Sequence, residues 1–218
     1  MLIAKGLHKS YGSLHVLKGV DVEIANSEIV SIVGSSGAGK STLLHILGTL
    51  DQADKGTLFM NEKNLQELKG DDLARFRNEQ IGFIFQFHNL LPEFTAQENI
   101  WIPGLIKGDS ESKLTKRSGE LAEILGISHR LDHKPSTLSG GEQQRVAVAR
   151  ALINAPSVVF ADEPSGNLDT ANARALNELF FKLRDELGQA FVIVTHNEEL
   201  AEMADRKVVM KDGLIIAV

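Results

Sequence analysis

The chain has 218 residues, 43% of them hydrophobic, no cysteine and a formal net charge of -6. That length supports one large α/β domain, or a domain with a small subdomain, around a core that needs no covalent staples. The composition excludes disulfides, thiolate metal sites and cysteine nucleophiles. It also speaks against a nucleic-acid partner, since no basic patch is evident, and no apolar run approaches the ~20 residues that span a bilayer.

Met1-Leu2-Ile3-Ala4-Lys5 lacks the apolar stretch of a signal peptide, so any service to a membrane is expected from its surface, through a partner. Residues 2–25 read as strands, with Val16, Val20, Val22 and Ile24 on a period of two. Tyr11, the only tyrosine, sits in a Ser10-Tyr11-Gly12 turn, where it can stack on a base or simply pack the turn.

Glu28 to Val33 is an apolar, β-branched run that suits a buried strand, and it feeds Gly34-Ser35-Ser36-Gly37-Ala38-Gly39-Lys40-Ser41. Thr42 to Leu47 then suits a helix. A strand, a G-x-x-x-x-G-K-S loop and a helix in that order form a phosphate-binding loop. Its glycines permit close backbone approach, and its N–H groups with the helix dipole cradle an anion. Lys40 is expected to reach the β- and γ-phosphates, and Ser41 to hold Mg²⁺.

Gly56 to Met60 reads as a strand, Asp71 to Asn78 as a short helix, and Ile81 to Phe85 as a buried strand ending at Gln86. An amide at that end lies where α/β folds bind ligands. The segment from Phe87 to Gly126 reads as a helical subdomain, with a helix over 120–126 and a solvated charged face from Lys107 to Arg117. Most of its apolar residues are expected in the core, while Leu90 and Leu91 beside Pro92 are candidates for a groove that takes a partner helix. His129 and His133 stand four apart, but the glycine, serine and proline around them and the lack of a third ligand argue for surface histidines.

Ser136 to Arg145 contains a second glycine loop opening a helix, with Ser139 as cap. One nucleotide pocket has no need of a second phosphate-shaped helix start, unless it meets the nucleotide of another copy. Ser157 to Ala161 is a buried strand ending in Asp162-Glu163, placed to bind Mg²⁺ and to activate water. A turn over 164–169, a helix from Ala171 to Leu187 and a strand over 191–194 ending at Thr195-His196 follow. Lys207 to Met210 and Leu214 to Ile216 close the chain as a hairpin.

The order of these motifs resembles the nucleotide-binding subunit of ATP-binding-cassette (ABC) transporters over essentially the whole chain. The resemblance implies an α/β fold: a RecA-like P-loop NTPase core with an antiparallel β subdomain, residues 1–86 and 157–218, and an inserted α-helical subdomain, residues 87–156. It assigns Tyr11 to adenine stacking and Gly34, Ser35, Ser36, Gly37, Ala38, Gly39, Lys40, Ser41 and Thr42 to the Walker A loop. Gln86 becomes the residue that senses metal and water, Leu138 to Glu142 the LSGGE signature, and Asp162 the metal aspartate. Glu163 becomes the catalytic glutamate, Ser165 to Asp169 a dimer-contacting loop, and His196 the switch histidine.

Within that family, Gln86 to Asn99 and Ala161 to Asp169 look like segments of lipoprotein-releasing ATPases. Macrolide exporters and the cell-division complex fit the first of these segments less well. Asn197 stands where many relatives carry aspartate. The implied machine is a head-to-tail homodimer on the cytoplasmic face of a bacterial inner membrane. Each ATP, with Mg²⁺, lies between one copy's P-loop and the other's Ser139, Gly140 and Gly141. Membrane permease subunits are expected to dock near Gln86 to Trp101.

Overall fold

The computed structural model describes residues 1–218. Its elements in chain order are β1 (Leu2–Tyr11), β2 (Leu14–Ile24), β3 (Ile29–Gly34), α1 (Lys40–Leu47), β4 (Lys55–Met60), β5 (Lys63–Asn64), α2 (Gly70–Gln80) and β6 (Ile81–Phe85). Then come α3 (Ala96–Lys107), α4 (Glu111–Ile124), α5 (Gly140–Leu152), β7 (Val158–Asp162), α6 (Thr170–Leu187), β8 (Ala190–Val194), α7 (Glu198–Met203), β9 (Arg206–Lys211) and β10 (Leu214–Ala217).

The strands form two sheets, one antiparallel in the order β2-β1-β4-β5, the other in the order β10-β9-β3-β8-β7-β6. The second is parallel from β9 to β6, with β10 antiparallel at one edge. Its central strands are buried on both faces, which is why they read as unbroken apolar runs. Alternate side chains nevertheless sort into two cores. Val158, Phe160, Val192 and Val194 face α1 and the antiparallel sheet, while Val159, Ala161, Phe191 and Ile193 join α5 and α6.

This is the α/β architecture with an antiparallel β subdomain and an inserted helical segment that the motif order implies. Two elements differ from the sequence reading. The helix expected over 120–126 is α4 and starts at Glu111, because Ser110 caps it and Leu114, Ser118, Leu121 and Ala122 supply a buried stripe. The charged run from Lys107 to Arg117 holds the end of α3 and the first turns of α4, and it is mostly exposed apart from the buried Leu114. The short α7 had no counterpart in the sequence reading; Asn197 caps it, its side chain accepting from the Leu200 N–H at 3.0 Å.

α5 lies against β6 where glycine is required for room. A Cβ at Gly82 would stand 2.6 Å from the Ala151 carbonyl oxygen. Arg150 of α5 donates to the carbonyls of His88 and Asn89, each at 2.7 Å, and ties the chain after β6 to the helical subdomain.

Candidate nucleotide-hydrolysing site

The carboxyl ends of β3, β8, β7 and β6, neighbours in one sheet, carry in turn the glycine loop, Thr195-His196, Asp162-Glu163 and Gln86. Parallel pairing puts these ends at one edge of the sheet, where α/β folds collect ligands.

At β3 the loop is set by its glycines. A Cβ on Gly34 would lie 2.1 Å from the Met210 carbonyl oxygen, so only glycine permits the β3–β9 pairing there. Gly39 takes a left-handed φ of 98° to open α1, whose first turn has no side-chain cap and no acidic residue. Its free N–H groups and the positive end of the helix dipole make an anion cradle. Lys40 is 7% exposed and bends over the loop, donating to the carbonyls of Gly34 at 2.9 Å and Ser35 at 3.1 Å.

Ser41 Oγ donates to Asp162 Oδ1 at 3.2 Å. Two hard oxygens at that separation fit adjacent corners of a magnesium octahedron, about 3.0 Å apart for ligands at roughly 2.1 Å. His45 stands four residues after Ser41 on α1, with Nε2 3.9 Å from Asp162 Oδ2. That i, i+4 spacing was the available signal for a residue the sequence reading passed over.

Glu163 follows with φ 49°, a left-handed conformation uncommon for a side-chain-bearing residue. Its N–H donates to the Val194 carbonyl at 2.9 Å, which anchors the turn to β8. His196 engages both carboxylate oxygens: its Nε2 is 3.1 Å from Oε1, and its backbone N–H donates to Oε2 at 3.2 Å. The structure therefore joins Gly34 to Thr42, Asp162, Glu163 and His196 in one place.

Gln86 sits one strand away, and its side chain turns elsewhere. Its Nε2 donates to Asn167 Oδ1 at 3.2 Å, and Asn167 Nδ2 donates to the Gln86 carbonyl at 3.0 Å. The sequence places Asn167 in a turn and, by resemblance, in a dimer-contacting loop, and nothing in its local sequence points back to residue 86.

Tyr11 ends β1 and is half exposed. Its hydroxyl donates to Asp51 Oδ2 at 2.5 Å, while Lys9 Nζ lies 5.0 Å from its ring centroid and donates to Asp51 Oδ1 at 2.7 Å. The bond to Asp51 raises the phenol's pKa above its ordinary value. Lys9 and Asp51 are the supports of Tyr11 that the sequence did not disclose.

Ser139, Gly140 and Gly141 make no hydrogen bond to the glycine loop. Ser139 instead closes a capping box with Glu142: its N–H and hydroxyl both donate to Glu142 Oε2 at 2.8 Å. These bonds, with Arg130 Nε at 2.7 Å, hold the Glu142 carboxyl down at about 2. A Cβ added at Gly140 would meet Leu168, in the loop before α6, and one at Gly141 would meet Asn172, in the first turn of α6. His129 and His133 join no group of three ligand-type side chains.

A phosphate cradle, a serine–aspartate oxygen pair and a carboxylate–histidine pair on neighbouring strands define a P-loop hydrolase site. Residues 17–166 match the family model described as ABC transporter, and the chain belongs to that family; it is an ABC-type ATPase.

Among its relatives, the "Lipoprotein-releasing system ATP-binding protein LolD" of Cytophaga hutchinsonii is 57% identical, covering 99% of both chains. The protein of the same name in Bacteroides thetaiotaomicron is 58% identical, again over 99% of each. A solved dimeric ATP-binding cassette in a post-hydrolysis state, bound to ADP and Pi, is similar with a TM-score of 0.89 and 38% identity. It matches over 99% of this chain and 97% of its own.

Proposed function

We propose that this chain powers the release of acylated lipoproteins from the inner membrane, as the ATP-hydrolysing subunit of a lipoprotein-releasing ABC complex. The observation that carries the chemistry is the convergence of Lys40, Ser41, Asp162, Glu163 and His196 at the ends of β3, β7 and β8. The cargo follows the likeness to proteins named for lipoprotein release, 55–58% identical in the Bacteroides and Cytophaga examples.

ATP is the substrate, its phosphates held by the N–H groups of Gly37 to Thr42 and its adenine by Tyr11. Ser41 and Asp162 would hold Mg²⁺, which would supply charge neutralisation at the β- and γ-phosphates. Glu163 orients and deprotonates the attacking water. Lys40 and His196 act by preorganised electrostatics on the γ-phosphate oxygens. The Ser139 to Gly141 loop has no partner nucleotide in its own chain, so it serves the ATP of a second copy, in a head-to-tail dimer like the dimeric cassettes it resembles.

Permease helices dock near Gln86 to Trp101, a segment flanked in sequence by Phe83, Phe85, Pro103 and Ile106, which with Arg77 and Arg150 line a groove of about 390 Å³ between α2, β6, α3 and α5. Ile106 in that groove and Phe87 in the segment stand 72% and 71% exposed. No helix is long and apolar enough to cross a membrane, and in this reading the permease subunits hold the chain at the cytoplasmic face.

Depletion of the chain in its host is the test. Acylated lipoproteins accumulate in the inner membrane and are rescued by the native chain but not by Glu163→Gln. Normal lipoprotein sorting after depletion contradicts the assignment.

A further inference from the structure

The segment from Ser165 to Asp169 lies between two parts of the machinery. On one side Leu168 and Asn172 lie against Gly140 and Gly141. On the other, Asn167 spends its whole carboxamide on one residue, accepting from Gln86 Nε2 at 3.2 Å and donating to the Gln86 carbonyl at 3.0 Å. Gly166 makes the contact possible, since a Cβ there would stand 2.9 Å from Gln86 Nε2. The Gln86 carbonyl follows an edge strand, so it has no neighbouring strand beyond it to bond.

We propose that Asn167 is a positioning residue that parks the Gln86 carboxamide against the Ser165–Asp169 loop and away from the Ser41–Asp162 pair. Gln86 is freed only when that loop moves. The proposal rests on the reading of Gln86 as a residue that serves the metal and the water. Because Leu168 of the same loop adjoins Gly140, and Asn172 of the helix that follows adjoins Gly141, a shift at that face of the molecule is delivered to Gln86 through the Asn167 side chain. An acceptor alone does not reproduce the clasp: at Asn167→Asp the carboxylate still accepts from Nε2 but repels the Gln86 carbonyl.

The test uses the full chain with ¹⁵N label and phosphate release as readouts. The Gln86 side-chain amide signal, identified by its loss in Gln86→Ala, is expected to move toward that of free glutamine in Asn167→Ala and part-way in Asn167→Asp. Basal ATP turnover is expected to rise about fivefold in Asn167→Ala, the worth of one neutral hydrogen bond. The same substitution in the Gln86→Ala background changes turnover by a factor near one. An unmoved amide signal, slower turnover, or the same ratio in both backgrounds overturns the proposal. Should Gln86→Ala alone leave turnover and its magnesium dependence unchanged, the role of Gln86 falls while the amide signal still decides whether the clasp exists.

Discussion

Tyr11 and Glu163 show how much a single residue's setting decides. The phenol of Tyr11 is fixed at its far end by Asp51 and covered by Lys9, so its ring is held before any base arrives. Base–aromatic stacking is worth about 1–3 kcal/mol per base. Tyr11→Ala is therefore expected to weaken ATP affinity by roughly tenfold or more, in equilibrium binding, while the maximal rate changes little. Loss of rate with unchanged affinity would place the base elsewhere. Glu163 has the opposite profile. Glu163→Gln keeps the backbone bonds of the turn but not the proton acceptor, and turnover is expected to fall by about 10²–10⁴ with ATP binding retained. The motif residues were legible because glycine loops and strand-end carboxylates have local signatures. Lys9, Asp51 and Asn167 were not, because each bonds a residue 40 to 81 positions away that only the fold brings near.

Among the elements, α5 carries both a legible and a concealed feature. Ser139 announces a helix start, and the structure adds Glu142 and Arg130 to complete it. A carboxyl held at about 2 against an ordinary 4.5 stabilises the fold above about pH 4.5 and loses that contribution as pH falls toward 2. The stability gap between the native chain and Glu142→Gln, measured by urea unfolding, is expected to be constant above pH 5 and to close toward pH 2. A gap independent of pH would contradict the role of the ionised box. At the other face of α5, Gly82→Ala forces a methyl against the Ala151 carbonyl and is expected to cost about 1–3 kcal/mol in the same assay. An unchanged midpoint would mean the helix shifts freely. The true start of α4 stayed hidden for a related reason: the charges from Lys107 to Arg117 mask a buried Leu114–Ser118–Leu121 stripe that only packing against α3 and α5 reveals.

For the molecule as a whole, the parallel sheet assembles four of the motifs at one edge, while the fifth, Ser139 to Gly141, makes no hydrogen bond to the glycine loop. The fold class was readable from apolar strands alternating with helices. What one chain does not state is whether its site is shared with a second copy, as proposed above. The most direct measurement is the mass in solution of Glu163→Gln, by light scattering, with and without saturating ATP. The 23.8 kDa chain is expected to double in mass when ATP is added. It is expected to remain single, though still binding ATP, when Ser139→Arg is added to the same chain. A Glu163→Gln chain that binds ATP and stays at one copy, or a dimer indifferent to Ser139→Arg, would contradict the shared site.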